Sequence, residues 1–467
     1  MLKLLKILIF IDYQSDHWCN LPFHPSPPKK TAHADTLILG RKKTMLKTIF
    51  THGGIYTFLS VASRAIPFLL LPIMTAYISP DGYGMISIFM IITSLLTPVI
   101  GFCSNSVLQQ KFFKLNEEEK VYFMADAFKL MILSFIFYVF LCLVVYKLIY
   151  QWIKIPLLWF ELAILVGLFN MIISLTTTLF RLKKQPLMYG LLQGAMVLTN
   201  VALSIFFVVC LELSWQGRLC GILISSFLVS SLSIYCNFIY KNINFKNIKK
   251  THHIGNVFRL GVALIPATIT GWILLMSDRF FLTRLTSIEL VGIYSVGIMI
   301  AQITDVLLNP IHLAYSPFFF EKICKNDLQT KLQIVRSTYL IIITSLMVAL
   351  LIYLIAPIIF KLMINVRYHK ALDVVAWISF SYAFWSIGGL FYNFVLSAEK
   401  NIIIQYFSYI LLIISLFAGY NLIKYYGMIG AAIANLISSA SFAMCYLIVT
   451  LRYFRMPWFD KRVFAWN

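Results

Sequence analysis

The chain has 467 residues, 60% hydrophobic and only 12% charged, with a mean hydropathy of +0.84. A soluble core cannot hide so many apolar side chains, so the composition excludes a soluble globular protein and indicates a polytopic membrane protein. The net charge of +21 does not indicate nucleic acid, because no basic stretch carries interleaved stacking aromatics outside the apolar segments.

The first 44 residues differ from the rest. Lys3 and Lys6 precede a short apolar run ending at Ile11, as in a signal peptide, but that run is too short to span a bilayer. Asp12 and Asp16 follow it, then Pro22, Pro25, Pro27 and Pro28, then the basic Arg41–Lys43. Residues 1–44 therefore read as a non-native or disordered extension before a start at Met45.

From there apolar segments recur. A span needs about 20 mostly apolar residues, which predicts spans near 53–78, 84–108, 127–148, 157–180, 186–210 and 218–239. A second set lies near 260–282, 291–311, 338–360, 372–396, 402–423 and 427–451. These are continuous apolar runs rather than alternating strands, so the expected fold is all-α, with about twelve transmembrane helices in two six-helix lobes around a central cavity. The lobes are 45–240 and 260–451, joined by a basic linker at 241–259, with a tail at 452–467. Lys and Arg gather in alternate loops, among them Lys111, Lys114 and Lys120, then Arg181, Lys183 and Lys184, then Lys322, Lys325 and Lys331. That asymmetry places both termini in the cytoplasm. The basic loop from Lys361 to Lys370 runs against it.

The halves echo each other. A shift of 208 residues superposes Gly53 on Gly261, Thr75 on Thr283, Ser79 on Ser287, Asp81 on Glu289, Gly84 on Gly292 and Ser87 on Ser295. Tandem lobes of this kind hold the substrate path of many transporters between them.

Charges inside apolar segments mark functional candidates, since a central arginine costs about 2.5–3.5 kcal/mol on insertion scales. Arg64 stands mid-way along the first span with no acid in the same segment, and Pro67 and Pro72 follow it as candidate bends for a gate. Asp278 and Arg279 lie near the end of the seventh span; adjacent residues on a helix point apart and need separate partners. Both interlobe pairing and substrate contact fit them. Asp305 lies inside the eighth span, able to bind a proton or sodium ion or to neutralise Arg64 or Arg279; His312 reads as interfacial. The eight cysteines are scattered without a CxxC, giving no metal or disulfide framework, and no Walker A, HExxH or GxSxG sequence supplies an enzymatic motif.

The stretch from Met276 to Gly297, with its Ser-Asp-Arg turn and Gly292–Tyr294, resembles the seventh and eighth helices of the polysaccharide transporter family, the Wzx-type flippases of the multidrug/oligosaccharidyl-lipid/polysaccharide exporter superfamily. Pro72–Gly84 looks like that family's first loop, Tyr368–Ala371 like the start of its tenth helix, and Gly427–Ala434 like the small-residue opening of its last. The resemblance implies movement of polyprenyl-pyrophosphate-linked oligosaccharide across the bacterial cytoplasmic membrane for surface polysaccharides such as O-antigen and lipopolysaccharide. It also implies no cofactor beyond a coupling proton or sodium ion, and contact with other polysaccharide assembly proteins. In that setting Arg64 would meet the pyrophosphate, which a guanidinium grips bidentately. Two alternatives are a cation-coupled multidrug exporter, expected to carry acids in the first span where this chain has Arg64, and a membrane polymerase or ligase. Polymerases and ligases use a long outer loop, whereas the longest one here, near 361–371, is short.

Overall fold

The computed structural model describes residues 68, 70–239, 254–323, 327–398 and 401–463. The expected extension 1–44, Arg64, Pro67 and most of the linker 241–259 lie outside the described residues. The described chain is helical, without a strand. A helix at 70–77 (α1) completes the first predicted span and contains Pro72, whose carbonyl accepts the Thr75 hydroxyl at 3.2 Å. Then come α2 Pro80–Ile100, α3 Ser104–Lys111, α4 Glu117–Ile153, α5 Leu157–Leu182, α6 Pro186–Ile205 and α7 Ser214–Ile239. The second half has α8 Ile254–Leu285, α9 Ile288–Ala301, α10 Ile303–Ile323, α11 Leu328–Met363, α12 Leu372–Ser397 and α13 Asn401–Tyr453.

Among the described residues ten helices are long and apolar enough to cross a membrane. The last of them is two spans joined at Gly427, whose φ of 56° and ψ of −128° only glycine adopts readily. Bulky apolar side chains face outward on the peripheral helices, such as Ile136 and Phe140 of α4 and Met347 and Leu354 of α11. In water these faces would be an aggregation hazard; in lipid they cost nothing.

One expectation needs correction. The second span is expected to run to 108, but α2 stops at Ile100, because Phe102 and Cys103 turn the chain with φ of 46° and 48° before α3 begins. The eighth span is one crossing, Ile288–Ile323, interrupted only at Gln302 between α9 and α10. Asp305 lies in the first turn of α10.

Matched positions of the two halves have matched local structure. Ser79 caps α2 by accepting from the Gly82 amide at 3.2 Å, and Ser287 caps α9 by accepting from Leu290 at 3.3 Å. The matched positions also touch. Ser295 Oγ donates to Ser87 Oγ at 2.7 Å across 208 residues of sequence. A Cβ on Gly84 would meet the Ile288 carbonyl oxygen at 2.1 Å, and one on Gly292 would meet that of Pro80 at 1.9 Å. Glycine is required at both positions, since only a missing side chain lets the backbones approach so closely. Tyr83 and Tyr368 flank the seam in an edge contact at 5.8 Å, and the Tyr368 hydroxyl donates to the Ile78 carbonyl at 2.8 Å. In the basic loop that defies the charge rule, Arg367 is engaged structurally, donating to Asn365 and to the Ala76 carbonyl.

A second contact joins the other end of α2 to α8. Phe102 packs on Phe258 at 5.0 Å, and Trp272 Nε1 donates to Ser94 at 3.0 Å. Within the first half, α7 presents a polar stripe to α5 and α6. Arg218 donates to Asn200 at 2.6 Å and to Ser204, Asn200 donates to Ser225, and Asn237 donates to Thr176 at 2.8 Å. Such bonds hold helices together where lipid removes the hydrophobic drive between them. The tail is docked: Trp458 and Val463 are buried, and Arg336 donates to the Val463 carbonyl at 3.0 Å.

Candidate functional site

Three of the charged candidates, Asp278, Arg279 and Asp305, lie in the second half, the first two on α8 and the third on α10. Asp278, near the end of α8, is buried. Its Oδ2 accepts from the hydroxyl of the fully buried Tyr294 at 2.6 Å and from Asn435 Nδ2 at 3.3 Å. Its Oδ1 accepts from the Arg279 amide at 2.7 Å. Asn435 in turn accepts from Ser381, which shares a hydrogen bond with Ser439. One carboxylate thus ties α8, α9, α12 and α13 together inside the second half. Three donors on a buried carboxylate make a satisfied packing node. Arg279 sends Nη1 to within 2.7 Å of Met276 Sδ, and its buried Nε has no acceptor among the described residues.

Asp305 faces a cavity of about 880 Å³ framed by α8, α10, α12 and α13. On α10 the residues Asp305, Asn309 and His312 recur at helical spacing and line it together. The α8 wall is of small residues at the same period, among them Ala263, Ala267 and Gly271, which leave the space open. Trp385 and Tyr392 contribute from α12, and Gln405, Ser408 and Tyr409 from α13. His312 is held in place, with Nε2 2.5 Å from Ser386 Oγ, which sits 3.0 Å from Ser345 Oγ. Contrary to its interfacial assignment, this histidine lines the cavity and packs over Gly389. Trp385 is oriented by a stacked Phe442 ring at 4.3 Å, and Phe442 lies where a Cβ on Gly388 would stand. Among the described residues its polar wall includes the Asp305 carboxylate, Asn309, His312, Gln405 and Ser408, set among aromatic rings.

Sequence reasoning singled out Asp305, read His312 as interfacial, and passed over Asn309, Gln405 and Trp385. The available signal was the Asp-Asn-His repeat at i, i+4 and i+7 within an apolar helix. Pro72 lies in α1, away from this cavity's lining.

A family model for polysaccharide biosynthesis proteins matches residues 50–322, which include α8, α9 and most of α10. The chain belongs to this family. Two proteins of Haemophilus influenzae are also similar. One, described as an uncharacterized membrane protein, is 24% identical over 286 residues, covering 61% of this chain and 68% of that protein. The other, Lsg locus putative protein 1, is 22% identical over 289 residues, covering 60% and 68%. Among solved structures, an inward-facing multidrug resistance MATE transporter of the MOP superfamily superposes with a TM-score of 0.69 at 13% identity, covering 84% of this chain and 94% of that one. The lipid II flippase MurJ in an inward closed conformation gives 0.68 at 13% identity, covering 85% and 87%. At such identity the likeness concerns the fold alone, that of a polytopic all-α membrane protein.

Proposed function

We propose that this family member is a flippase that translocates polyprenyl-pyrophosphate-linked oligosaccharide units across the bacterial cytoplasmic membrane for surface polysaccharide assembly. The supporting observation is membership of the polysaccharide biosynthesis family in a chain whose fold is that of membrane transporters and flippases. The protein acts on no covalent bond: its work is a change of access between the two halves, with both termini in the cytoplasm. Arg64 meets the pyrophosphate, Pro67 and Pro72 bend the first helix, and Arg279 and Asp305 belong to the polar path beside the packing node at Asp278. Asp305, the carboxylate on the cavity wall among the described residues, is the candidate for proton or sodium coupling. The membrane potential adds about 2.3 kcal/mol per charge per 100 mV toward outward movement of an anionic substrate.

A second reading, a cation-coupled multidrug exporter, draws on the same cavity, because a carboxylate among aromatic rings also suits an organic cation. Deletion of the gene separates the two. A flippase leaves its lipid-linked oligosaccharide accumulated on the cytoplasmic side and surface glycan lost, both restored by the wild-type gene. Intact surface glycan in the deletion strain, with raised drug sensitivity, would favour the exporter.

A further inference from the structure

We propose that Arg279 binds a phosphate of the transported molecule in the path between the two halves, beneath the seam. This inference rests on the flippase reading above.

The position of Arg279 turns it toward that path. Gly261, Thr268, Trp272, Met276 and Arg279 recur at helical spacing along one face of α8. That face runs along α2. A Cβ on Gly261 would meet the Phe102 carbonyl oxygen at 2.1 Å, Thr268 Oγ1 lies 3.4 Å from Cys103 Sγ, and Trp272 Nε1 donates to Ser94 at 3.0 Å. Arg279 continues the line beyond Trp272, about 10 Å further along the helix axis. The residue before it, Asp278, is bonded to Tyr294, the chain neighbour of the seam residue Ser295. Arg279 therefore stands on the side of α8 that meets the first half, and tandem-lobe transporters carry their substrate between the halves.

Its bonding leaves it available. The Asp278 oxygens take the Tyr294 hydroxyl, the Asn435 amide and the Arg279 backbone amide, not the guanidinium. Among the described residues the guanidinium bonds to the Met276 thioether, 2.7 Å from Nη1, and its buried Nε has no acceptor. A thioether is a weak acceptor, so the donor fork of a half-buried cation is largely unused. Charges left in this state within a membrane helix are costly and mark substrate or ion pathways. A phosphate supplies what is missing, a negative charge and paired oxygens that match the planar fork. An organic cation would meet a like charge here instead.

The test uses full-length protein in detergent and three probes: polyprenyl pyrophosphate, polyprenol of the same chain length, and inorganic pyrophosphate. Arg279→Gln should weaken binding of polyprenyl pyrophosphate at least about tenfold, the usual worth of a charge-assisted hydrogen bond, and leave polyprenol binding unchanged. Arg279→Lys should lose less, because a point charge replaces the fork. Met276→Leu removes the thioether but not the cation, and it should leave binding of all three probes unchanged. A folded Arg279→Gln protein that binds polyprenyl pyrophosphate like the wild type overturns the inference. Equal weakening of both lipids, or the same loss in Met276→Leu, also overturns it, because the arginine then acts through packing. Where Arg279→Gln does not accumulate, Arg279→Lys decides, and unchanged polyprenyl pyrophosphate binding in that variant overturns the inference. Inorganic pyrophosphate bound as tightly as the lipid makes this a site for the free anion and overturns the assignment to the transported molecule. None of these binding results touches the flippase reading. A deletion strain that accumulates no lipid-linked oligosaccharide overturns that reading, and the inference with it.

Discussion

Replacing Gly292 with alanine places a methyl carbon 1.9 Å from the Pro80 carbonyl oxygen, where ordinary contact is 3.4–4 Å. The obstacle is backbone, not the tip of a flexible side chain, so α2 and α9 have to part by about 1.5 Å, the gap between those distances. Overpacking of this kind costs about 1–3 kcal/mol. If the seam opens during transport, that cost falls on the closed arrangement alone and lowers its population relative to the open one by roughly 5- to 150-fold. The seam reports on itself through Ser87 and Ser295, whose hydroxyl oxygens are 2.7 Å apart. In a cysteine-depleted background, Ser87→Cys with Ser295→Cys should cross-link rapidly under mild oxidation. Adding Gly292→Ala should slow the initial rate by at least fivefold, and Gly84→Ala should act the same way from the other side, its Cβ meeting the Ile288 oxygen at 2.1 Å. Gly194→Ala is the control, because a Cβ there meets nothing within 4 Å. Unchanged cross-linking with Gly292→Ala, in protein that folds and accumulates normally, would refute the claim that these glycines set the approach of the two halves.

Asp278→Ala should lower the thermal unfolding midpoint of the purified protein and its membrane abundance, since it strands the Tyr294 hydroxyl and Asn435 amide in the core at about 1–3 kcal/mol; Tyr294→Phe should be milder. A cysteine at the exposed Ser79 should react with an impermeant maleimide from outside the cell and one at the exposed Asn116 should not; the reverse pattern would invert the topology. Arg64→Ala should abolish surface glycan while the protein still accumulates, with Arg64→Lys recovering only part, because a point charge replaces a bidentate fork. Full glycan export by a stable Arg64→Ala protein would remove Arg64 from the substrate path.

What could be read from the sequence follows from which signals are local. The spans stood out because lipid demands long apolar runs, and 157–180 and 186–210 fall almost on the observed helices. The 208-residue echo was legible as a pattern but not as a contact; only the fold shows that Gly84 and Gly292, or Ser87 and Ser295, lie on one seam. The stop of α2 at Ile100 was hidden because Phe102 and Cys103, apolar residues in left-handed turns, carry no turn signature. The cavity was half legible. A carboxylate in an apolar helix announces itself by its insertion cost, so Asp305 was found, whereas asparagine, glutamine and tryptophan perturb hydropathy too little to stand out. Gln405 joins Asp305 only across the cavity that α13 and α10 both line, a relation between segments a hundred residues apart that no periodicity encodes. Asp278 shows the converse. Its charge was conspicuous, yet the donors that satisfy it come from α9 and α13, and they turn an apparent path residue into the tie that holds the second half together. A membrane charge is therefore a reliable flag for importance, and its hydrogen-bond partners decide whether that importance is transport or packing.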